Sequence, residues 1–260
     1  MPVASIPPVF VAHGAPTLAL EETSASRFLK SFAQTQAIPA GILILSAHWE
    51  TEGLKLSSPG PLRTIHDFRG FPPALYELQY PARTDEDQVD EAAKLLEAAG
   101  YDVELDSSWG LDHGAWVPLS LAFPQANIPV TALSLPNDST PESVFALGRV
   151  LAPLKEQGIL IVGSGSTTHN LREIYPQGAE APEWAQKFDH WLDEGLKAGS
   201  IDYFQDLEKA PGFRRNHPTE EHLLPLFFTF GAAGEKANPE LLHRSYEYGS
   251  LSMSYYRFAA

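Results

Sequence analysis

The chain contains nine histidines and no cysteine, and this sets the chemistry that its side chains can perform. Without thiols it cannot form disulfides, use a cysteine nucleophile or build a cysteine-ligated zinc or iron–sulfur site. Any bound metal must be held by histidine, aspartate or glutamate. Imidazole also exchanges protons near neutral pH. What the histidines can do depends on which of them the fold brings together.

Three histidines follow apolar runs that are typical of buried parallel strands. His13 ends "PPVFVAHG", His48 ends "GILILSAHWE", and His169 lies in "GILIVGSGSTTHN". The carboxyl ends of parallel strands meet at one edge of an open α/β sheet, where ligands bind. A lone histidine after a strand is most often structural, but three at one edge predict a shared metal or catalytic site.

A fourth apolar run, "IPVTALSLP", alternates with the others and with helical patterns. The capping residues predict helices that start at Ser24 or Ser26, run from Thr84 to Gly100, and run from Pro141 to Gly158. Strands alternating with helices of this length predict an α/β fold with a mostly parallel central sheet flanked by helices.

Alternating tyrosines and serines around Gly249 predict a C-terminal hairpin or edge strands. No linker or repeat interrupts the 260 residues, so we expect a single domain over residues 1–260.

Composition and charge exclude several classes of protein. Hydrophobic residues make up 43% and charged residues 20%, as in globular proteins. No apolar run is long enough to span a membrane, and "MPVASIPPVF" lacks a signal-peptide pattern, so a cytoplasmic location is expected. The net charge of -15 argues against a nucleic-acid partner. A small molecule is the expected partner, and the oligomeric state is not predicted.

His217 and His222 lie in "NHPTEEHLLPLFFTFGAAG", which we interpret as the start of a helix capped by Thr219. Five residues on a helix turn through about 500°, so the two rings would diverge by about 140° and should not be joint ligands. Pro225 should bend such a helix. A solvated first turn with a kink is an equally good interpretation of the segment.

His66 and His113 each stand next to an aspartate, in "TIHDF" and "LDHGAW". A neighbouring aspartate can orient an imidazole, although adjacent side chains often diverge, so each motif is weak by itself. His190 and His243 are expected to be structural. The Gly- and Ser-rich "GSGSTTHN" lacks the lysine and the spacing of a phosphate-binding loop.

Six ordered motifs spread over roughly residues 8 to 231 resemble those of the DODA-type extradiol aromatic ring-opening dioxygenases. This is the DOPA 4,5-dioxygenase-like branch of the class III extradiol family. The motifs are "VFVAHGAP", "LSAHWE", "TIHDFRGFP", "LDHGAWVPL", "GSGSTTHNL" and "HPTEEHLLPL".

The resemblance implies one α/β domain with a mononuclear metal site, in which His13, His48 and His222 are metal ligands. It implies that His169 is the acid–base residue and a possible further ligand. His113 would lie near the substrate and oxygen, and His66 near the substrate ring. Glu221 remains an alternative third ligand, because a distant branch of the family uses glutamate there.

The implied reaction is extradiol cleavage of a catechol, DOPA- or protocatechuate-like, by O2. Fe(II) suits three imidazoles and has the redox chemistry, whereas Zn(II) can fill the same site without it. A zinc-dependent hydrolase and a non-catalytic metal-stabilised protein are the alternatives.

A carboxylated substrate would need a local cation in so acidic a chain. Arg63 and Arg69 flank "TIHDF", and Arg214 and Arg215 precede His217. Either pair would give such a substrate at least about a tenfold preference over uncharged catechols.

Overall fold

The computed structural model describes residues 5–35, 37–234 and 237–259. These ranges contain twelve strands: β1 Val9–Ala12, β2 Gly41–Thr51, β3 Leu54–Ser57, β4 Gly60–Pro61, β5 Arg83–Thr84, β6 Val103–Asp106, β7 Val130–Pro136, β8 Ile159–Gly165, β9 Asn238–His243, β10 Tyr246–Glu247, β11 Leu251–Ser252 and β12 Tyr255–Ala259. The α-helices are α1 Ser24–Thr35, α2 Pro73–Glu77, α3 Glu86–Ala98, α4 His113–Ala122, α5 Pro141–Leu151, α6 Glu183–Ala198, α7 Phe213–Asn216 and α8 Leu224–Ala233. Short 3₁₀ turns span Pro16–Ala19, Ala152–Gln157, Ile201–Phe204 and Leu207–Lys209.

Eight strands form one sheet in the order β6-β3-β7-β2-β8-β1-β12-β9. The four central strands β7, β2, β8 and β1 are parallel, and they are the four apolar runs of the sequence. Towards the edges, β3 pairs antiparallel with β7, and β12 and β9 add antiparallel strands beside β1. The predicted α/β fold with a parallel centre and C-terminal edge strands is confirmed. The Gly249 region forms the β10–β11 hairpin, with a φ of 69° at Gly249.

Alternation along β2 sends neighbouring side chains to opposite faces of the sheet. Leu43 and Leu45 join a core with helices α3, α5, α6 and α8. Ile42 and Ile44 join a second core with helices α1 and α4. The sheet is therefore buried on both faces, which explains why its central strands are continuous apolar runs. No helix in the described part of the chain has the length and apolar character to cross a membrane.

The predicted caps of two helices differ from the observed ones by one residue for Ser24 and for Thr84, and by three residues for the alternative Ser26. At α1, Thr23 accepts a hydrogen bond from the Ser26 amide while Ser26 accepts one from the Thr23 amide, so Thr23 is the cap. At α3, the cap is Asp85, whereas Thr84 is buried in β5. The helix from Pro141 was predicted correctly, except that its last turn before Gly158 is 3₁₀.

The predicted helix from His217 is wrong. Residues 217–223 form turns, and α8 begins only at Leu224. Thr219 caps nothing and instead donates a hydrogen bond to Glu221. Pro225 lies in the first turn of α8, where its missing N–H costs no helical hydrogen bond. The predicted divergence of about 140° between the rings of His217 and His222 assumed a helix, so it does not apply to this segment.

Candidate active site

The C-terminal ends of β1, β8 and β2, adjacent in the sheet, surround a cavity of about 220 Å³. Four histidines line it: His13, His48, His113 and His169. His222 lies just behind them, with its ring centroid 5.3 Å from that of His13 and 4.9 Å from that of His48. The fold thus brings five of the nine histidines to one place, including every predicted metal ligand.

His13 directly follows β1, and its ring is fixed by one hydrogen bond. Its Nδ1 lies 3.0 Å from the hydroxyl oxygen of Ser164, and that hydroxyl donates to the carbonyl of Gly114. Since the hydroxyl proton is used, Ser164 accepts from Nδ1–H, and Nε2 of His13 carries the free lone pair. That Nε2 lies 3.1 Å from Nε2 of His48.

His48 lies inside β2, where the strand leaves its register with β7. Leu45 pairs with Leu133, but the next paired residue is Glu50, opposite Leu135. This irregularity lets the intervening residues turn a side chain towards the cavity. A Cβ at position 114 would lie 2.9 Å from the His48 ring, so a glycine is required there for His48 to fit.

His222 is buried, and only one of its ring nitrogens has a partner. Nδ1 donates to the Glu221 carboxylate at 2.8 Å, whereas Nε2 is a buried polar atom with no hydrogen-bond partner. A Cβ at position 165 would lie 2.1 Å from the carbonyl oxygen of His222. The glycines of "GSGS" therefore serve close backbone packing rather than phosphate binding.

His169 stacks on His222, with ring centroids 3.5 Å apart and an interplanar angle of 7°. Its backbone N–H donates to the carbonyl of Asn216 at 2.9 Å. Candidate ligand atoms of His169, Glu221 and His222 lie within 4.8 Å of one another, and so do those of His13, His48 and His113. The candidate ligand atoms thus form two groups of three.

The Asp–His neighbours of the sequence do not pair with each other in the fold. Asp67, next to His66, accepts from Nδ1 of His113 at 2.8 Å and from its backbone N–H at 2.9 Å. Asp112, next to His113, caps α4 and accepts from Ser46 at 2.6 Å. Adjacent side chains diverge, so each carboxylate orients a group that is distant in the sequence.

The buried histidines are held in their neutral forms. Burial, followed by the proximity of other histidines, lowers the pKa of His13 and of His222 well below the usual value. Burial also lowers the pKa of His48, and it lowers the pKa of His169 to about 4. Neutral imidazoles are the form that binds metals and accepts protons. The pKa of about 4 for His169 therefore lies well below the pKa near 7 that is typical of an acid–base histidine.

The donor set fits a divalent transition metal. Nε2 of His13 and Nε2 of His48 face each other, and the buried Nε2 of His222 has no other partner. As metal ligands both nitrogens would be unprotonated, and two imidazole lone pairs at this distance repel each other unless a cation lies between them. Such nitrogen donors suit iron, zinc, copper and nickel.

The predicted substrate residue His66 lies outside the cavity lining. Its Nε2 donates to the carbonyl of Leu78 at 3.0 Å, and its ring packs edge-on against Phe68, with centroids 5.8 Å apart. Phe68 itself lines the cavity. His66 therefore lies behind Phe68 rather than in the lining of the cavity.

The four arginines considered for carboxylate binding, Arg63, Arg69, Arg214 and Arg215, also lie outside the lining. Arg214 and Arg215 are paired with glutamates at the surface. Among the described residues, the lining includes neither lysine nor arginine, and its walls are mostly apolar: Phe68, Phe71, Leu171, Leu251 and Met253.

Sequence reasoning missed the residues that orient the histidines. Ser164 lies in a strand that reads as apolar, and Asp67 and Glu221 act on rings whose positions depend on the fold. His217 is fully buried rather than solvated, and its Nε2 donates to the carbonyl of Thr167 at 2.8 Å. The Gly-Ser pattern at the end of β8 was the available signal for Ser164.

Comparisons with known proteins agree with this geometry. Residues 6–259 match the family described as the catalytic LigB subunit of aromatic ring-opening dioxygenase. The chain is 40% identical over 256 residues to a 4,5-DOPA dioxygenase extradiol of Beta vulgaris, covering 96% of each chain. It is 35% identical to a protein of the same name from Escherichia coli K12, covering 95% of this chain and 93% of the other. A crystal structure of an uncharacterised E. coli K12 protein superposes with a TM-score of 0.80 at 29% identity, covering 97% of this chain and 99% of that one.

Proposed function

Because this chain belongs to the LigB family of aromatic ring-opening dioxygenases, as a DODA-type class III extradiol enzyme, we propose that it opens a catechol ring with O2. His13, His48 and His222 would hold the single metal ion that this reaction requires. The observation that carries the proposal is that Nε2 of His13 lies 3.1 Å from Nε2 of His48, with the His222 ring next to both rings and its buried Nε2 without a partner, beside an apolar cavity.

His222 is preferred over Glu221 and His113 as the third ligand. Glu221 accepts the Nδ1 proton of His222, which leaves Nε2 of His222 as the donor. Such a carboxylate fixes the tautomer of a metal-binding histidine and raises its basicity. His113 also lies close to His13 and His48, but the buried Nε2 without a partner belongs to His222.

Fe(II) is the proposed metal, because when bound it supplies the redox chemistry through which a catecholate reacts with O2, and Zn(II) has no such chemistry. Zn(II) can occupy the same three imidazoles without supporting turnover. Catechols are the proposed substrates, since two relatives carry the name 4,5-DOPA dioxygenase extradiol.

His169 is the proposed acid–base residue. Because burial lowers its pKa to about 4, its ring is neutral and can accept a proton from a catechol hydroxyl on binding. The proton that His169 has accepted is returned during ring opening. The product is a muconic semialdehyde.

His113 and the apolar wall are proposed to orient the substrate. Asp67 accepts the Nδ1 proton of His113, so the Nε2 lone pair of His113 is left to face the substrate hydroxyl. Phe68 lies edge-on to His113, with centroids 5.9 Å apart, and forms a wall for a flat ring. The same apolar side chains exclude water from the reacting atoms.

The test is reconstitution of the metal-free protein with Fe(II) under anaerobic conditions, followed by a catechol and air. The proposal predicts O2 uptake and a yellow ring-opened product with Fe(II), and neither with Zn(II). Hydrolysis of an ester with Zn(II) in the absence of O2 would support a zinc hydrolase instead, and inactivity with both metals would indicate a non-catalytic metal site.

A further inference from the structure

His217 is a fully buried histidine that the proposed chemistry does not use. Its Nε2–H donates to the carbonyl of Thr167 at 2.8 Å, while its Nδ1 has no partner. The ring packs against Phe188 and Phe213, with centroids 5.3 and 6.1 Å away. An unpaired buried nitrogen is costly, and an apolar side chain would avoid that cost. What histidine adds at this position is the hydrogen bond to Thr167.

That hydrogen bond holds the segment that carries His169. Residues 166–169 follow β8 and belong to no regular element, so no ladder of backbone hydrogen bonds fixes them. Two backbone bonds join them to the segment around His217: Ser166 N–H donates to His222 C=O at 2.7 Å, and His169 N–H donates to Asn216 C=O at 2.9 Å. The Thr167–His217 bond lies between these two.

Thr167 is also held from its other side. Its hydroxyl donates to the buried carboxylate of Asp189 at 2.6 Å, and Asp189 accepts further bonds from Tyr246 and Ser252 at 2.6 and 2.7 Å. The carbonyl and the hydroxyl of Thr167 are thus both fixed by buried side chains, Asp189 on α6 and His217 between α7 and α8.

We propose that His217 is a positioning residue, which through the Thr167 carbonyl fixes the 166–169 segment and thereby the stacking of His169 on His222. The expected effect on catalysis rests on the proposed function. The position of the 166–169 segment does not depend on it. Without the bond, His169 shifts relative to the substrate, and small misplacements of a catalytic group cost up to about 10²-fold in rate.

The test compares His217→Leu with His217→Gln in Fe(II)-loaded protein. Leucine fills the apolar site but cannot donate, whereas the glutamine amide can donate to Thr167 C=O in place of Nε2–H. We expect His217→Leu to lower kcat by about 10- to 100-fold with KM and iron content unchanged, and His217→Gln to recover most of the loss. His190→Leu, at an exposed histidine on α6, is the matched control and should leave kcat unchanged.

Hydrogen exchange of the zinc-loaded proteins gives a readout that does not need activity. The amides of Ser166 and His169 should exchange faster in His217→Leu than in wild type, and at the wild-type rate in His217→Gln. If the wild-type protein consumes no O2, the proposed function is wrong. The hydrogen-exchange rates then still show whether His217 positions the 166–169 segment. Wild-type kcat and exchange in His217→Leu, or equal losses in both variants, would overturn the proposal.

If His217→Leu does not fold, the comparison moves to His217→Met, whose flexible side chain also cannot donate to the carbonyl of Thr167. The proposal expects lower kcat and faster exchange in His217→Met than in His217→Gln, and identical behaviour of the two variants would overturn it.

Discussion

Two sides of the histidine cluster differ in what holds their backbones. On the strand side, His13 directly follows the pairing of β1 with β8, and His48 lies within β2, between Ser46, where the pairing with β8 ends, and Glu50, where the pairing with β7 resumes. On the loop side, His169 and His222 lie in turns that are joined by a few hydrogen bonds, several of them from side chains.

The difference shows that one site can combine segments held by strand pairing with segments held by single hydrogen bonds. A ladder distributes the constraint over many bonds, so the loss of one side chain leaves the backbone in place. On the loop side each hydrogen bond contributes on the order of 1 kcal/mol and has few substitutes. Single substitutions there should therefore move the catalytic groups more than equivalent substitutions on the strand side.

The largest expected effect is the same on both sides, because the proposed metal ligands come from both the strand side and the loop side. We expect His13→Ala, His48→Ala and His222→Ala each to lose the metal and, with it, all measurable activity, while His217→Ala retains the metal. Metal analysis of the purified variants is the measurement. Full occupancy in His222→Ala together with loss in Glu221→Ala would show that the loop side contributes the carboxylate instead.

His169→Ala should separate catalysis from binding on the loop side. We expect it to retain Fe(II) and catechol binding but to turn over roughly 10²- to 10⁴-fold more slowly, which is what general acid–base catalysis supplies. Metal content and single-turnover kinetics are the measurements. A variant that cannot hold metal would make His169 a ligand and require another base.

Ser164→Ala and Glu221→Ala compare the two sides directly, because each removes the acceptor of an Nδ1 proton. Loss of such a partner weakens metal affinity by about 10- to 100-fold. We expect about 10-fold for Ser164→Ala, since the strands still hold His13, and nearer 100-fold for Glu221→Ala. Chelator competition with Zn(II) measures both, and Ser120→Ala on α4 is the control. Equal losses would remove the distinction between the sides.

Acid should destabilise the metal-free protein through its buried histidines. Burial lowers the pKa of His217 to about 4, below the 6.5 of an exposed histidine, so protons bind the unfolded chain preferentially between these values. The contribution of neutral His217 to the free energy of unfolding is therefore fully present above pH 6.5, and it is lost as the pH falls towards 4. His217 alone should account for about 2 kcal/mol between pH 7.5 and 5.

Urea unfolding at the two pH values measures this loss. The difference in the free energy of unfolding between pH 7.5 and pH 5 should be about 2 kcal/mol smaller in His217→Leu, because leucine binds no proton at this position. An unchanged pH dependence in the variant would contradict the neutral, buried state of His217.

The smallest expected effect concerns substrate charge. Because the cavity lining includes neither lysine nor arginine among the described residues, a substrate carboxylate would meet no lysine or arginine there. We expect kcat/KM for catechols with and without a carboxylate to agree within about threefold, and Arg214→Leu to leave the ratio unchanged. A tenfold preference that Arg214→Leu abolishes would restore the arginine interpretation.

The central sheet was predictable because its strands are buried on both faces and so must be apolar along their whole length. The helices around it were predictable to within one to three residues, as Thr23 and Asp85 show. The turns at 217–223 were not, because Thr219, Glu220 and Glu221 imitate a helix start. There the apolar residues that follow begin a helix only at Leu224, after His222 has packed against Gly165.

The sequence by itself determined the chemistry that is available and its general location. Histidines without cysteines restrict a metal site to nitrogen and oxygen donors, and parallel strands bring His13, His48 and the His169 segment to one edge. Only the tertiary structure decided the partners of these rings: Ser164 for His13, Asp67 for His113, and His217 behind Thr167. The physical reason is that strand direction follows from local apolar patterns, whereas a hydrogen bond between distant segments depends on positions that only the packed chain defines.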